Sequence, residues 1–121
     1  MAMATIDFQT LANAGFPPAS YAPGEIIFSA GDKGENMYVI RSGEVEVERD
    51  GKIVETLSAG GIFGEMALID GSPRAATARA KTACEVAPIS ERSFLFLVHE
   101  TPFFAISVMR ALAERLRRSP A

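Results

Sequence analysis

Glu65 and Arg74 are the two side chains whose types and spacing suggest chemistry, set nine positions apart in a run rich in glycine and small residues. Gly60, Gly61 and Gly64 precede or adjoin them, and Gly71, Ala75 and Ala76 follow. Glycine lets a backbone approach a ligand closely. Residues 65–69 are long enough for one or two helical turns, whose first N–H groups lack intrahelical partners and therefore suit an anion. Arginine adds a rigid fork of donors that matches a phosphate. A carboxylate beside such a site needs a partner of its own. Glu65 either pairs with Arg74 in a structural ion pair, of a kind often worth little, or accepts from a hydroxyl on the ligand that carries the phosphate. The second alternative describes a ribose phosphate, and the residues alone leave both open.

Other chemistries find few residues. A single cysteine, Cys84, and a single histidine, His99, supply neither an internal disulfide nor a Cys/His metal shell. Cys84 reads as a buried strand residue and His99 as an exposed helix end. No Ser/His/Asp constellation suggests covalent catalysis, so neither catalytic residues nor metal ligands are expected. The 121 residues are 48% hydrophobic and 22% charged, an ordinary globular balance for a single domain spanning 1–121. Residues 1–70 hold 4 of the 12 basic and 11 of the 15 acidic groups, a charge of -7, against +4 for the rest. With a net charge of -3, generic nucleic-acid binding is not expected, and any anion must be caught locally. No window reaches the roughly 20 apolar residues of a membrane span, and the N-terminus lacks the basic start of a secretory signal. A cytoplasmic protein with no membrane partner is the expectation.

The elements that would position Glu65 and Arg74 are mostly strands. A short amphipathic helix is predicted at 5–14, before Pro17 and Pro18. Apolar or alternating runs at 25–28, 36–42, 43–49, 52–57, 75–80 and 84–89, punctuated by Gly, Pro and Asp, predict an all-β barrel or sandwich. Asp50-Gly51 predicts a type I′ hairpin turn. In a two-residue register Arg49 faces Lys52 and Val47 faces Val54, so that Val45, Val47, Val54 and Thr56 point inward while Glu44, Glu46 and Glu48 are solvated. Leu57 then falls on the outer face. After Ser90 the period becomes helical: one helix at 91–98, then a second opened by Thr101 and Pro102. Ile106, Met109, Ala113 and Leu116 form the stripe expected to pack on the sheet, and Arg115, Arg117 and Arg118 complement the helix dipole.

Phe63-Gly64-Glu65-Met66-Ala67-Leu68, followed by Ser72-Pro73-Arg74-Ala75-Ala76-Thr77-Ala78, closely resembles the phosphate-binding cassette of cyclic nucleotide-binding domains. Such domains occur in catabolite activator proteins, protein kinase A regulatory subunits and cyclic-nucleotide-gated channels. The resemblance extends upstream through Pro23-Gly24-Glu25-Ile26-Ile27-Phe28, Gly31-Asp32 and Met37-Tyr38-Val39-Ile40 to Gly43, and covers about residues 20–118. It implies a mainly β fold with flanking helices: an eight-stranded double-stranded β-helix, or jelly-roll, barrel over 20–90, with the cassette and C-terminal helices at 91–118.

The resemblance also implies roles. Glu65 would accept from the ribose 2′-hydroxyl and Arg74 would hold the exocyclic phosphate oxygens. The backbone N–H groups of Ala67 and Ala75 would support the phosphate, Gly64 would let the sugar lie against the chain, and Val47 would line the base pocket. Met66 would pack, contributing only its backbone. A small residue at Ala75, where cGMP-preferring relatives carry Thr, implies cAMP as ligand, with cGMP the second candidate and no further cofactor. The chain would then be a stand-alone, non-enzymatic sensor signalling to a protein partner through its C-terminal helices, by repacking of Leu68 and Ile69 against the last helix. A protein-interaction module of the same fold, or the effector domain of a larger transcription regulator, is the alternative. Relatives carry a further helix that closes over the base and forms the dimer contact. The chain reaches Ala121 without one, so an uncapped base and a monomer are expected.

Overall fold

The β4–β5 hairpin shows how local sequence sets the frame. Asp50 and Gly51 both have positive φ, 54° and 78°, the pair of left-handed residues a type I′ turn requires. Strand β4 (Val45–Arg49) returns as β5 (Lys52–Leu57), with Arg49 opposite Lys52 as expected. One residue later the ladder slips: Glu48 faces Ile53 but Val47 faces Glu55, so Val54 is the extra residue of a β-bulge. The bulge reverses the faces beyond it. Val54 is 55% exposed, whereas Leu57 pairs with Val45 and packs inward. The expectation that Val54 and Thr56 point inward and Leu57 outward is corrected accordingly.

The computed structural model describes residues 16–118, and the helix expected at 5–14 lies outside them. Besides the hairpin it contains β1 (Ala19–Tyr21), β2 (Ile26–Phe28), β3 (Asn36–Ser42), β6 (Ile62–Phe63), β7 (Thr77–Ala80) and β8 (Cys84–Ser90). The pairings are antiparallel and form two four-stranded sheets, β1-β8-β3-β6 and β2-β7-β4-β5. Eight strands match the expected number, arranged as two open sheets rather than one closed circuit. Glu48 and Arg79 form an ion pair on the outer side of the second sheet, so the acidic row there is not simply solvated.

Three helices complete the described residues: α1 (Met66–Asp70), α2 (Glu91–Glu100) and α3 (Pro102–Arg118). Ser90 caps α2 by accepting from the Ser93 N–H at 3.2 Å. Pro102 then starts α3, bent by 118° from α2. No single helix among the described residues is long and apolar enough to cross a membrane.

Alternation along β3 and β8 divides the interior in two. Met37, Val39 and Ile89 face the helices and pack with Leu97, Phe104, Val108 and Ala111. Ile40, Cys84 and Val86 face the other sheet and pack with Val45, Phe63, Ala78 and Ala80. The first sheet is thus covered on both faces, by the second sheet and by α2 and α3. The face of α3 differs from the expected one. Phe104, Val108 and Ala111 are buried, while Ile106, Met109 and Leu116 are 39%, 56% and 76% exposed. Both stripes have helical spacing, and the one that carries Phe104, in edge contact with Phe94 at 5.3 Å between ring centroids, takes the core.

Candidate functional site

Between α1, the β4–β5 hairpin and α3 lies a cavity of about 600 Å³. Val47, Gly64, Glu65, Met66, Ala67, Arg74 and Ala75 all line it, so the structure brings every site residue expected from the sequence to one wall or another of a single space.

Arg74 is held from several directions. Its backbone N–H donates to Asp32 O and its carbonyl accepts from Gly31 N–H, both at 2.8 Å, which ties the start of the last cassette segment to the β2–β3 loop. Its guanidinium donates from Nη1 to Gly64 O at 2.8 Å and from Nη2 to Asn36 O at 2.7 Å. The guanidinium carbon stands 4.0 Å above the Phe28 ring, one of three neighbouring aromatics with Tyr38 and Phe63. Burial pulls the Arg74 pKa below the ordinary arginine value, opposed by nearby Tyr38, Asp32 and Glu65. The side chain is only 7% exposed, yet its Nε has no protein partner. A buried charged donor without an acceptor is unfavourable unless something else supplies one.

Two glycines make room for this arrangement. Gly64 has φ 76°, and a Cβ there would stand 2.7 Å from Arg74 Nη1. A Cβ on Gly34 would meet the Ala67 Cβ at 2.4 Å and the Arg74 guanidinium at 3.0 Å. Gly34 was marked in the sequence only by the glycine punctuation of its loop.

Glu65 precedes the first turn of α1 and is 5% exposed. It does not pair with Arg74, one of the two alternatives the residues left open. Its partner is Arg115 of α3, with Nη1 2.8 Å from Oε1. The contact lacks hydrogen-bond alignment, so Oε1 remains without a hydrogen-bond donor. The same arginine lies 3.5 Å through Nε from Glu55 Oε2 and donates through Nη2 to the Ile62 carbonyl. Arg118 reaches Glu55 Oε2 at 3.0 Å. Arg115 and Arg118 are therefore not merely dipole-complementing charges: they fasten the end of α3 across the cavity to β5, β6 and the cassette.

Arg115, Glu55 and Leu112 are cavity residues that sequence reasoning missed, together with Phe28. For Arg115 a signal existed, since Phe104, Val108, Ala111 and Arg115 recur at helical spacing and end the buried stripe on a charge. Glu55 carried none, because the bulge decides its face. Leu112 and Leu116 also border the space, so the last helix lies along it. Two cassette expectations change as well. Met66 is 50% exposed at the cavity rather than packed, and Ile69, 54% exposed, borders the cavity while Leu68 alone packs against the α3 core.

Where Gly71 turns the chain out of α1, Asp70 accepts from Ser72 N–H at 3.0 Å and Ser72 Oγ at 2.6 Å. These bonds hold the Asp70 carboxyl below the usual carboxylate range.

Comparison with known proteins agrees with this geometry. The sequence model described as the cyclic nucleotide-binding domain matches residues 18–101. Among solved structures, the Thermus thermophilus catabolite activator protein superposes with a TM-score of 0.80 at 31% identity, over 93% of this chain and 56% of that one. An EAL enzyme in its cGMP-bound form is 35% identical over 84% of this chain and 28% of its own, with a TM-score of 0.63. The cAMP-bound PfPKA-R is 30% identical over 90% and 41%, with a TM-score of 0.70. The chain spans about half the length of the Thermus protein and a smaller share of the other two. Carrying the family's domain over most of its length and the cassette geometry around one cavity, the chain belongs to the cyclic nucleotide-binding domain family.

Proposed function

We propose that this chain is a non-catalytic sensor that binds a cyclic purine mononucleotide in the cavity and passes occupancy to α3. The observation that carries the reading is the pair of nearly buried, incompletely satisfied charges facing one space: Arg74, whose Nε has no acceptor, and Glu65, whose Oε1 has no aligned donor. A cyclic phosphate supplies the acceptor and a ribose hydroxyl the donor. The α1 N–H groups at Met66 and Ala67 begin a helix, where such groups lack carbonyl partners, and Ala75 follows Arg74 along the same edge. Relatives solved with cAMP and with cGMP support a cyclic mononucleotide. Ala75 lacks a hydroxyl for guanine, so this one position favours cAMP, and the facing wall of the cavity decides the base.

Signalling requires contacts that differ between the empty and occupied states. Arg115 provides one, because a ribose hydroxyl at Glu65 competes with the tether between the cassette and α3. Leu68, packed against the α3 core, provides another. The output is a protein partner or appended domain met by α3, and a cytoplasmic setting goes with the lone thiol of Cys84.

Native mass spectrometry of the purified chain, followed by calorimetry with cAMP and cGMP, tests the reading. Retained nucleotide, or saturable binding that Arg74→Ala weakens by about 30-fold or more, supports it. Absence of binding to both nucleotides returns the chain to the alternative of an interaction module that has kept the fold.

A further inference from the structure

Glu55 reaches the cavity only because of the bulge in the β4–β5 hairpin; an unbulged register would turn it outward and present Val54 instead. Bulges recur beside binding sites because they re-aim a side chain. Both cationic contacts fall on one oxygen, with Arg118 Nη2 3.0 Å and Arg115 Nε 3.5 Å from Oε2. Among the described residues no hydrogen bond falls on Oε1. Arg74 and Glu65 account for phosphate and ribose, which leaves the wall of Val47, Glu55 and Leu112 for the base.

We propose that Glu55 reads the base, and that its carboxylate makes the site favour guanine over adenine. The inference rests on the cyclic-nucleotide reading of the cavity. Guanine carries N1–H and the 2-amino group side by side, two donors that match the two oxygens of a carboxylate. Its neighbouring O6 is an acceptor suited to the Arg115 guanidinium, which flanks Glu55 and lines the cavity. Adenine offers a single exocyclic amine, and its N1 lone pair is repelled by a carboxylate. Ala75 does not outweigh this. A missing hydroxyl withholds one neutral hydrogen bond from guanine and gives adenine nothing, whereas bonds to a charged acceptor are the stronger class.

The test is calorimetry on the full chain with cGMP, cAMP and cIMP, the last retaining N1–H and O6 but lacking the 2-amino group. The wild type should prefer cGMP to cAMP by about tenfold or more, with cIMP between, and Glu55→Gln should lower that ratio by about fivefold or more. Glu55 also holds two arginines, so the readout is the ratio and not either affinity. Arg118→Ala, which loosens the same contact while keeping the carboxylate, should leave the ratio in place. A wild-type preference for cAMP, or a ratio that Glu55→Gln does not move, overturns the inference while leaving the cyclic-nucleotide reading intact. Binding of none of the three overturns that reading and the inference with it.

Discussion

Arg74 commits two donors to backbone carbonyls and lies over Phe28, so its removal disturbs the protein as well as the ligand. Arg74→Ala should weaken nucleotide binding by about 2–3 kcal/mol, roughly 30- to 150-fold, and lower Tm as Gly64 O and Asn36 O lose their donors. Calorimetry and a thermal melt of the same sample read both, and binding within threefold of wild type would exclude Arg74 as the phosphate ligand. Glu65 is tested by non-additivity. Glu65→Ala should weaken cAMP yet cost 2′-deoxy-cAMP much less, because both changes delete one contact; equal losses would remove the ribose role. A third expectation concerns Asp70, whose carboxyl is held low by Ser72. A depressed folded-state pKa contributes stability that is present above the unfolded value and is lost as pH falls through the folded one. Ser72→Ala should return the Asp70 titration, followed by NMR, toward the ordinary carboxylate value and flatten the acid limb of stability. That Glu65 and Arg74 share one cavity was legible in the sequence because both belong to a contiguous cassette. Arg115 was not, because its partners lie 50 and 60 positions away and only the fold brings them together.

Two elements show where alternation misleads. In the hairpin, period two held through Arg49 and Lys52 and failed one residue later, since a single inserted residue exchanges the faces of everything beyond it. In α3, two apolar stripes compete and the one that carries the aromatic Phe104 takes the core. The consequences are measurable by urea denaturation. Phe104→Ala should destabilise by about 3–5 kcal/mol, as a buried aromatic with neighbours that cannot close the gap. Met109→Ala, on the stripe that sequence periodicity favoured equally, should cost under about 1 kcal/mol because its side chain is already largely in water. Equal losses would mean that Met109 is covered in solution. The strands themselves were mostly readable: 36–42 and 52–57 coincide with β3 and β5, while β1 and the two-residue β6 are too short to show a period. The hairpin turn was readable because Asp-Gly is one of few pairs that tolerate two positive φ values.

For the molecule as a whole, the cavity is assembled from three stretches far apart in the chain: the hairpin, the cassette and the end of α3. Only the middle stretch carries a motif, which is why the cassette side of the cavity could be read from the sequence, with Val47 beside it, and the contributions of β5 and α3 could not. The helices at the C-terminal end of the described chain followed from periodicity and the count of eight strands from the family resemblance, whereas the division of the interior into two packed layers depends on which residues of β3 and β8 face which way. That division also sets a hierarchy of opening in time. Amides of β3 and β8 lie in a sheet covered on both faces, so their protons should exchange with deuterium only when the whole fold opens, at the global unfolding free energy. Amides of the β5 edge, beside exposed Ile53 and Val54, should exchange through local fluctuations orders of magnitude sooner. The hairpin wall of the cavity is therefore the compliant jaw, and the sheet covered on both faces the fixed one. Nucleotide should slow exchange in the hairpin and α1 while leaving β3 and β8, already at their limit, nearly unchanged at low occupancy.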